Sequence, residues 1–166
     1  IVLYIWWRFK SMGLSAGLMA IVALMHDAMV VFATYIIFKI PLDDGFIAVI
    51  LTILGYSIND TIVIYDRIRE NMKSMRKAGI GEIVNKSILQ SLSRSINTSV
   101  ATFMSMVVVY IFAVVFNIES VRDFSLPLIT GIISGCYSTI FIAGPLWVVW
   151  KEYQLKRKAA SKPAKA

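Results

Sequence analysis

The stretch GYSINDTIVIYDRIREN, residues 55–71, decides how the whole chain is interpreted. Its first half continues an apolar run that begins at residue 46, and its second half is densely charged. The run over 46–66 is long enough for a helix that crosses a bilayer, which takes about 20 residues. Within that helix Asp60 would lie about 10 Å from the charged end, at about 1.5 Å per residue. The stretch therefore predicts a membrane span that carries a carboxylate inside the bilayer.

The composition of the whole chain also indicates a membrane protein. Of its 166 residues 58% are hydrophobic and 16% are charged, and the mean hydropathy is +0.72. Isolated strands leave backbone groups unpaired in lipid, and the apolar runs are too long for the strands of a barrel. We therefore predict an all-α, polytopic transmembrane helical bundle over residues 1–150. It comprises a short apolar stub and four spans: 1–7, then 14–38, 46–66, 93–116 and 124–150.

The start of the chain is unusual for a natural N-terminus. It begins at Ile1 inside the stub, without a Met or a signal peptide. Seven residues are too few to cross a membrane. We therefore expect that part of the natural protein precedes this sequence.

The basic residues predict the orientation of the spans. Of the 17 Lys and Arg residues, only Lys39 and Arg122 lie on one side of the predicted bundle. The others lie in 8–13, in 67–94 and in the tail 151–166. The positive-inside rule places this second group, and with it the C-terminus, in the cytoplasm. Topology thus explains the net charge of +7, and no nucleic-acid partner is predicted.

Two cytoplasmic segments lie outside the predicted spans. The connector 67–92 has apolar residues at helical spacing, which fits two short amphipathic helices along the membrane surface or a solvated basic connector. The tail 151–166 is basic and predicts disorder. Trp147 and Trp150 fall near the inferred boundary, where interfacial aromatic residues are expected.

Asp60 is the strongest candidate for a functional residue. A charge at its depth costs at least about 2.5 kcal/mol on insertion scales. It could belong to a structural polar cluster, since Ser57 and Thr61 lie on a similar helix face. A neutral Asn would join helices at lower cost, which favours function. A buried carboxylate whose surroundings alternate takes up a proton in one state and releases it in the other.

Arg94 is the candidate cation for Asp60. It begins a polar stripe at helical spacing that continues with Thr98, Thr102 and Ser105. A cation beside a carboxylate favours the charged form and so would help to release a proton. The alternative is an arginine at the membrane boundary that extends its charged end into water.

Asp27 is a second acid in the middle of a predicted span. An ion pathway and hydrogen bonding between helices explain it equally well. His26 beside it should point to another face, because neighbouring residues on a helix are about 100° apart. The chain has one His and one Cys, so we predict no metal site.

The last span carries small residues at helical spacing. Gly131, Gly135 and Ser138 permit close contact between helices. The sequence contains no Gly-rich phosphate loop, no Ser/His/Asp set and no Cys pair, so it gives no support for an enzyme or an organic cofactor.

Four segments together resemble the SecF half of the SecD/SecF family of protein-export membrane proteins. They are LTILGYSINDTIVIYDRIREN (51–71), ALMHD (23–27), SLSRSINTSVAT (91–102) and LPLITGIISGCYSTIFIAGPL (126–146). The resemblance implies membership of the resistance-nodulation-division superfamily and half of its SecD/SecF-type bundle. The family's first span and extracytoplasmic domain would lie outside this sequence.

The resemblance also implies a function. This is an accessory subunit of the Sec translocation machinery that uses proton motive force, or a sodium gradient, to promote late preprotein export across the bacterial inner membrane. The implied partners are SecD, the SecYEG channel with SecA, YajC and YidC, the preprotein and membrane lipid. Alternatives are a small-molecule exporter of the same superfamily and a non-transporting membrane scaffold.

The family's proton-relay residues match Asp60 and Arg94. Supporting positions would be Asn59, Thr61, Thr98 and Thr102, and Asp27 matches a recurrent family residue. Two positions depart from the family pattern, because Ser95 and Ala101 stand where Thr is commoner. The first change keeps a hydroxyl and the second removes one.

Overall fold

The structure is a computed structural model that describes residues 14–75 and 77–160. The predicted stub 1–7 and the tail residues 161–166 lie outside the described residues. The described part is mainly helical and contains no strand, which confirms the predicted all-α bundle. Its elements are α1 (Leu14–Ile37), α2 (Asp44–Ser74), α3 (Ile80–Val115), α4 (Glu119–Ser138), a π-helical turn (Thr139–Ala143) and α5 (Gly144–Ala160).

Four of the described helices are long and apolar enough to cross a membrane. Three are Ser15–Ile37, Asp44–Ser74 and Ile80–Val115, and the fourth is the continuous run Glu119–Arg157 through α4, the π turn and α5. At the start of α2 the Asp43 side chain accepts a hydrogen bond from the backbone N–H of Gly45, at 2.9 Å. The Asp43 carboxylate thereby accepts from one of the backbone N–H groups that have no partner within the first turn of a helix.

The segment 67–92 differs from the connector that the sequence suggests. α2 continues to Ser74 and α3 begins at Ile80, so the connector residues form the ends of two long helices with a short turn between them. The tail differs in the same way, since α5 runs on to Ala160. The tail prediction overlooked that Lys, Glu, Gln and Leu favour helix, and that neither Gly nor Pro occurs between Pro145 and Ala160.

The bundle has two chemically different ends. The loop between α1 and α2 and the start of α4 meet around a cavity of about 290 Å³, whose lining includes Tyr35, Asp43 and Asp123. At the other end the start of α3 approaches α5, where a Cβ on Gly81 would lie 3.8 Å from Val148. Most of the basic residues lie at this second end, which we call the basic end.

The core includes one residue that the sequence placed elsewhere. Trp147 is fully buried, and its ring lies 6.4 Å from that of Tyr65 in an edge-on arrangement. The interpretation of Trp147 as an interfacial aromatic is therefore wrong, because its position on α5 faces the bundle. Trp150 is 40% exposed.

α4 packs very closely against α2. A Cβ on Gly131 would lie 2.6 Å from both Cγ1 and Cδ1 of Ile53. One turn further along, a Cβ on Gly135 would lie 3.4 Å from Cβ of Ser57. Glycine at position 131 thus permits a helix separation that a larger residue would prevent. This contact brings the polar groups described below within hydrogen-bonding distance.

Candidate functional site

α2 carries polar side chains on two sides, and each side contacts different helices. One side includes Tyr56 and Asp60 and faces α3. The other includes Ser57 and Thr61 and faces α1 and the end of α4. Tyr56 and Asp60 are four residues apart and share one side of the helix, and Ser57 and Thr61 share another side about 100° away. One helix can therefore separate two polar networks.

On the first side Asp60 meets a column of buried serines on α3. Ser95 donates a hydrogen bond to Oδ1 of Asp60 at 2.7 Å, and Tyr56 donates to Ser99 at 2.8 Å. Nearer the basic end, the Asn71 amide donates to Ser87 at 2.8 Å. The buried members of the column repeat every four residues: Ser87, Ser91, Ser95 and Ser99. Sequence reasoning did not identify this column of serines, although its four-residue repeat is visible in the sequence.

The two oxygens of Asp60 have unlike surroundings. Oδ1 accepts the Ser95 hydroxyl, whereas Oδ2 is buried and has no hydrogen-bond partner. A buried acceptor without a donor is unfavourable, and more so when it carries charge. The arrangement therefore suits a carboxyl group with its proton on Oδ2.

Arg94 is not paired with Asp60. Both residues belong to the described part of the chain, and no ion pair within 4.0 Å joins them. Arg94 is exposed, and it lines a cleft of about 280 Å³ at the basic end together with Asp66, Arg67 and Glu70. It precedes Ser95 in the chain, so the guanidinium starts from the residue next to the hydrogen-bond partner of Asp60.

The other residues of the predicted relay are spread over the surface and the core. Asn59 and Thr98 are exposed, and Thr102 donates to the backbone carbonyl of Thr98 at 2.9 Å. None of these three contacts Asp60 through a hydrogen bond in the described structure. Thr61 is buried on the opposite side of α2, where its hydroxyl lies 3.2 Å from that of Thr139.

Asp27 is the centre of the second polar network, which we call the Asp27 cluster: Asp27, Ser57, Ser134 and Ser138. Asp27 is fully buried. Ser57 donates to Oδ2 at 2.6 Å, Ser138 to Oδ2 at 2.7 Å and Ser134 to Oδ1 at 2.7 Å. Ser138, predicted as a packing residue, thus also donates to the carboxylate. Ser134 had no sequence signal beyond its spacing of four from Ser138.

His26 contacts the cluster as well. Its Nδ1 lies 3.3 Å from Oδ1 of Asp27, although neighbouring residues on a helix start in different directions. The imidazole nevertheless reaches back to Asp27, and its side chain is 34% exposed. The described residues contain no group of three His, Cys, Asp or Glu side chains that could hold a metal ion.

The polar groups continue from the Asp27 cluster toward the basic end. About one helical turn beyond Thr61, nearer the basic end, the Tyr65 hydroxyl donates to the backbone carbonyl of Ala143 at 3.0 Å. Ala143 ends the π turn, where the regular pattern of helical hydrogen bonds is interrupted. Tyr65 therefore supplies a donor at the interruption.

These features define a multi-pass membrane protein with two carboxyl groups in its candidate spans, each of which accepts at least one serine hydroxyl from a neighbouring helix. Residues 1–153 match the family described as protein export membrane protein SecD/SecF, C-terminal. The chain belongs to this family. With its four candidate spans, it is a multi-pass protein of the bacterial inner membrane.

Known relatives support the same assignment. The chain is 44% identical to a protein translocase subunit SecF of Alicyclobacillus acidocaldarius, over 95% of this chain and 50% of that protein. It is 39% identical to a protein translocase subunit SecDF of Bacillus subtilis, over 96% of this chain and 21% of that protein. A crystal structure of SecDF in a super-membrane-facing form matches with a TM-score of 0.83 and 39% identity, covering 97% of this chain and 21% of that one. This chain thus spans half or less of these relatives.

Proposed function

We propose that the chain is the membrane-embedded, ion-coupling part of a SecF-type subunit, which acts with SecD to promote late preprotein export at the expense of the proton motive force. The observation that carries the proposal is Asp60. It is an intramembrane carboxyl with one oxygen held by Ser95 and the other buried without a donor. Such a group is suited to bind one proton and to change its contacts when that proton leaves.

The proposed mechanism links the charge of Asp60 to the packing of α2 on α3. With the proton on Oδ2 the carboxyl is neutral, so no charge is left without a partner at this depth. Loss of the proton leaves a charge that needs a further donor or a cation. Arg94 is the cation one residue from Ser95, and it would have to turn inward from the cleft at the basic end. The packing of α2 on α3 would therefore change each time Asp60 binds or loses a proton.

Several features support SecD as the partner. α3 is the least buried of the four candidate spans, with 11% of its most apolar window covered inside this chain. Its exposed surface carries Arg94 and Thr98 beside large apolar side chains such as Val100 and Met104. The relatives named SecDF carry this region within a much longer chain. We place SecD on this face, and membrane lipid on the exposed apolar surface that SecD leaves free.

The wider set of partners follows from the family. We propose that the complex acts downstream of the SecYEG channel and SecA, with YajC and YidC as further associated proteins and the preprotein as substrate. The basic end is proposed to face the cytoplasm by the positive-inside rule. The relatives compared here are protein-translocase subunits, which favours this proposal over small-molecule export.

The experiment that tests the proposal uses the full-length protein that contains this chain, reconstituted with SecD and the translocation channel in vesicles. We expect Asp60→Asn to abolish the gradient-dependent part of preprotein export while assembly and basal translocation persist. The matched control is Asp44→Asn, which removes the same charge from the exposed first turn of the same helix. Replacing the proton gradient with a sodium gradient identifies the ion.

Two results would contradict the proposal. Unchanged gradient dependence in Asp60→Asn would make Asp60 a structural polar residue. Failure of Asp60→Asn to assemble with SecD, when Asp44→Asn assembles, would point to a scaffold role.

A further inference from the structure

The Asp27 cluster is constructed differently from the surroundings of Asp60. All three donors to Asp27 are serine hydroxyls, and together they occupy both carboxylate oxygens. They come from α2 and α4, so the cluster joins three helices. A neutral Asn could join helices at this depth at a lower insertion cost than a carboxylate. Hydrogen bonding alone therefore does not account for an acid at this position.

Serine hydroxyls can serve both protonation states of the carboxyl. Each hydroxyl donates one hydrogen bond, accepts others, and rotates to suit its partner. Around the anion all three hydroxyls donate. Around the neutral acid one of them must turn and accept the proton of the carboxyl instead.

Ser138 is placed to make that turn. Its Oγ lies 2.7 Å from Oδ2 of Asp27 and 3.3 Å from the backbone carbonyl of Gly135. When Oδ2 carries a proton, Ser138 can accept it and donate its own hydrogen to the Gly135 carbonyl. Every buried polar group thus keeps a partner in both states, which low-dielectric surroundings require.

His26 connects the Asp27 cluster to the surface of the described structure. Its Nδ1 lies 3.3 Å from Oδ1 of Asp27, its side chain is 34% exposed, and its ring lies 6.2 Å from that of Tyr137 on α4. Among the interactions of Asp27 described here, His26 is the one titratable partner. Asp60 and Tyr56 on α2 hydrogen-bond to α3 instead, and Cys136 and Tyr137 on α4 make no hydrogen bond to Asp27.

We propose that Asp27 is a second exchangeable-proton site, separate from Asp60, in which Ser138 adjusts to the protonation state and His26 takes up the proton that Asp27 releases. In the exchange step the carboxyl turns about its Cβ–Cγ bond, which brings the protonated oxygen to the side of His26, and the proton passes to Nδ1 of neutral His26. The products are a carboxylate held by three serines and an imidazolium on the exposed face of α1. The inference extends the proposed ion coupling, but the chemistry of the site can be measured without it.

The test is infrared difference spectroscopy of the full-length protein with SecD in lipid vesicles at a series of pH values. We expect a protonated-carboxyl band that changes with pH, that Asp27→Asn removes and that Asp60→Asn leaves in place. Ser138→Ala should shift the frequency of the band, whereas Ser105→Ala, which changes an exposed hydroxyl bonded to its own helix, should not. His26→Gln should slow hydrogen–deuterium exchange of the band.

The outcomes separate this proposal from the one on Asp60. A pH-dependent band that Asp27→Asn does not remove, or no band that changes over the range, would overturn the second site. If Asp27→Asn fails to fold, the response of the band to Ser138→Ala and His26→Gln decides in the same way. Unchanged export in Asp60→Asn would overturn the proposed function while leaving the Asp27 band as evidence for its own site.

Discussion

Ser57 and Asp60 lie less than one turn apart on α2, yet their side chains hydrogen-bond to different helices. Ser57 donates to Asp27 of α1, and Asp60 accepts from Ser95 of α3. A single helix thus carries Asp60 and also contacts Asp27. A shift of α2 that accommodates a charge on one carboxyl must also change the hydrogen bonds of the other. The following predictions test the contacts on both sides of this helix.

The hydroxyl of Ser95 should be required for coupling through Asp60. A hydrogen bond to a neutral group contributes about 0.5–1.5 kcal/mol, so Ser95→Ala should reduce gradient-dependent export by up to about tenfold. Ser95→Thr keeps the hydroxyl and should retain most of the activity. Export rates in reconstituted vesicles, at matched gradients, measure both variants. Equal rates for the two variants would show that the Ser95 hydroxyl has no part in coupling.

Arg94 should matter for activity and not for the stability of this chain. Its side chain is exposed and makes no ion pair with Asp60, so Arg94→Ala should change the free energy of unfolding by less than about 0.5 kcal/mol. The same variant should lose gradient-dependent export. Thermal unfolding in detergent measures the stability, and the vesicle assay measures gradient-dependent export. A large loss of stability would instead indicate a structural ion pair in the folded protein.

Ser138 should contribute to stability through its contact with Asp27. Removing a donor to a charged acceptor costs about 1.5–3 kcal/mol, so Ser138→Ala should lower the unfolding temperature clearly. Ser105→Ala should stay within about 0.5 kcal/mol of the parent protein, as exposed substitutions usually do. Thermal unfolding of the two variants side by side provides the comparison. Similar behaviour of both would mean that the Ser138–Asp27 hydrogen bond is energetically unimportant.

Gly131 and Gly55 should respond in opposite ways to alanine. A Cβ at Gly131 would meet Ile53 at 2.6 Å, and overpacking of this kind costs about 1–3 kcal/mol. At Gly55 no atom lies within 4 Å of a Cβ, so alanine should stabilise the helix by up to about 1 kcal/mol. Unfolding temperatures in detergent test both variants. Adding Ile53→Ala should reduce the penalty of Gly131→Ala, and strict additivity of the two changes would argue against the clash.

The orientation of the bundle can be measured with single cysteines. After replacing Cys136 with Ser, Glu119→Cys and Lys156→Cys place a thiol at exposed positions of opposite ends. We expect a membrane-impermeant maleimide to label Glu119→Cys in intact spheroplasts, and Lys156→Cys only after permeabilisation. The reverse pattern would invert the proposed topology.

The fold was predictable because its strongest signals are local. Apolar runs of membrane-spanning length and the bias of Lys and Arg indicate a helical bundle without any tertiary information. Asp60 was predictable for the same reason, since an acid inside such a run is conspicuous. The end of α2 and the start of α3 were harder to predict, because charged residues beyond a span favour helix as readily as they favour solvent.

The partners of the two acids were not predictable from the sequence. On α3 the stripe that begins at Arg94 and the stripe that contains Ser95 are neighbours about 100° apart, and both carry small hydroxyl residues. Which stripe faces Asp60 depends on the rotation of α3 in the bundle, and the structure places the serines there. Asp27 presented a harder case, since its three donors lie on two other helices and meet only after α4 approaches α2 at Gly131.

The π turn at Thr139–Ala143 holds one residue more than an α-helical turn, which affects how homologues align with α5. Pro145 lacks a backbone N–H and would crowd the carbonyl one turn before it, and the wider turn relieves that conflict just ahead of the proline. Removing one residue here would convert the π turn into an ordinary α-helical turn and leave the rotation of α5 nearly unchanged. Trp147 would then stay in the core. A homologue that is one residue shorter within this turn therefore keeps its inner aromatic residue at the same place in the fold, and only a gap inside Thr139–Ala143 aligns that residue with Trp147.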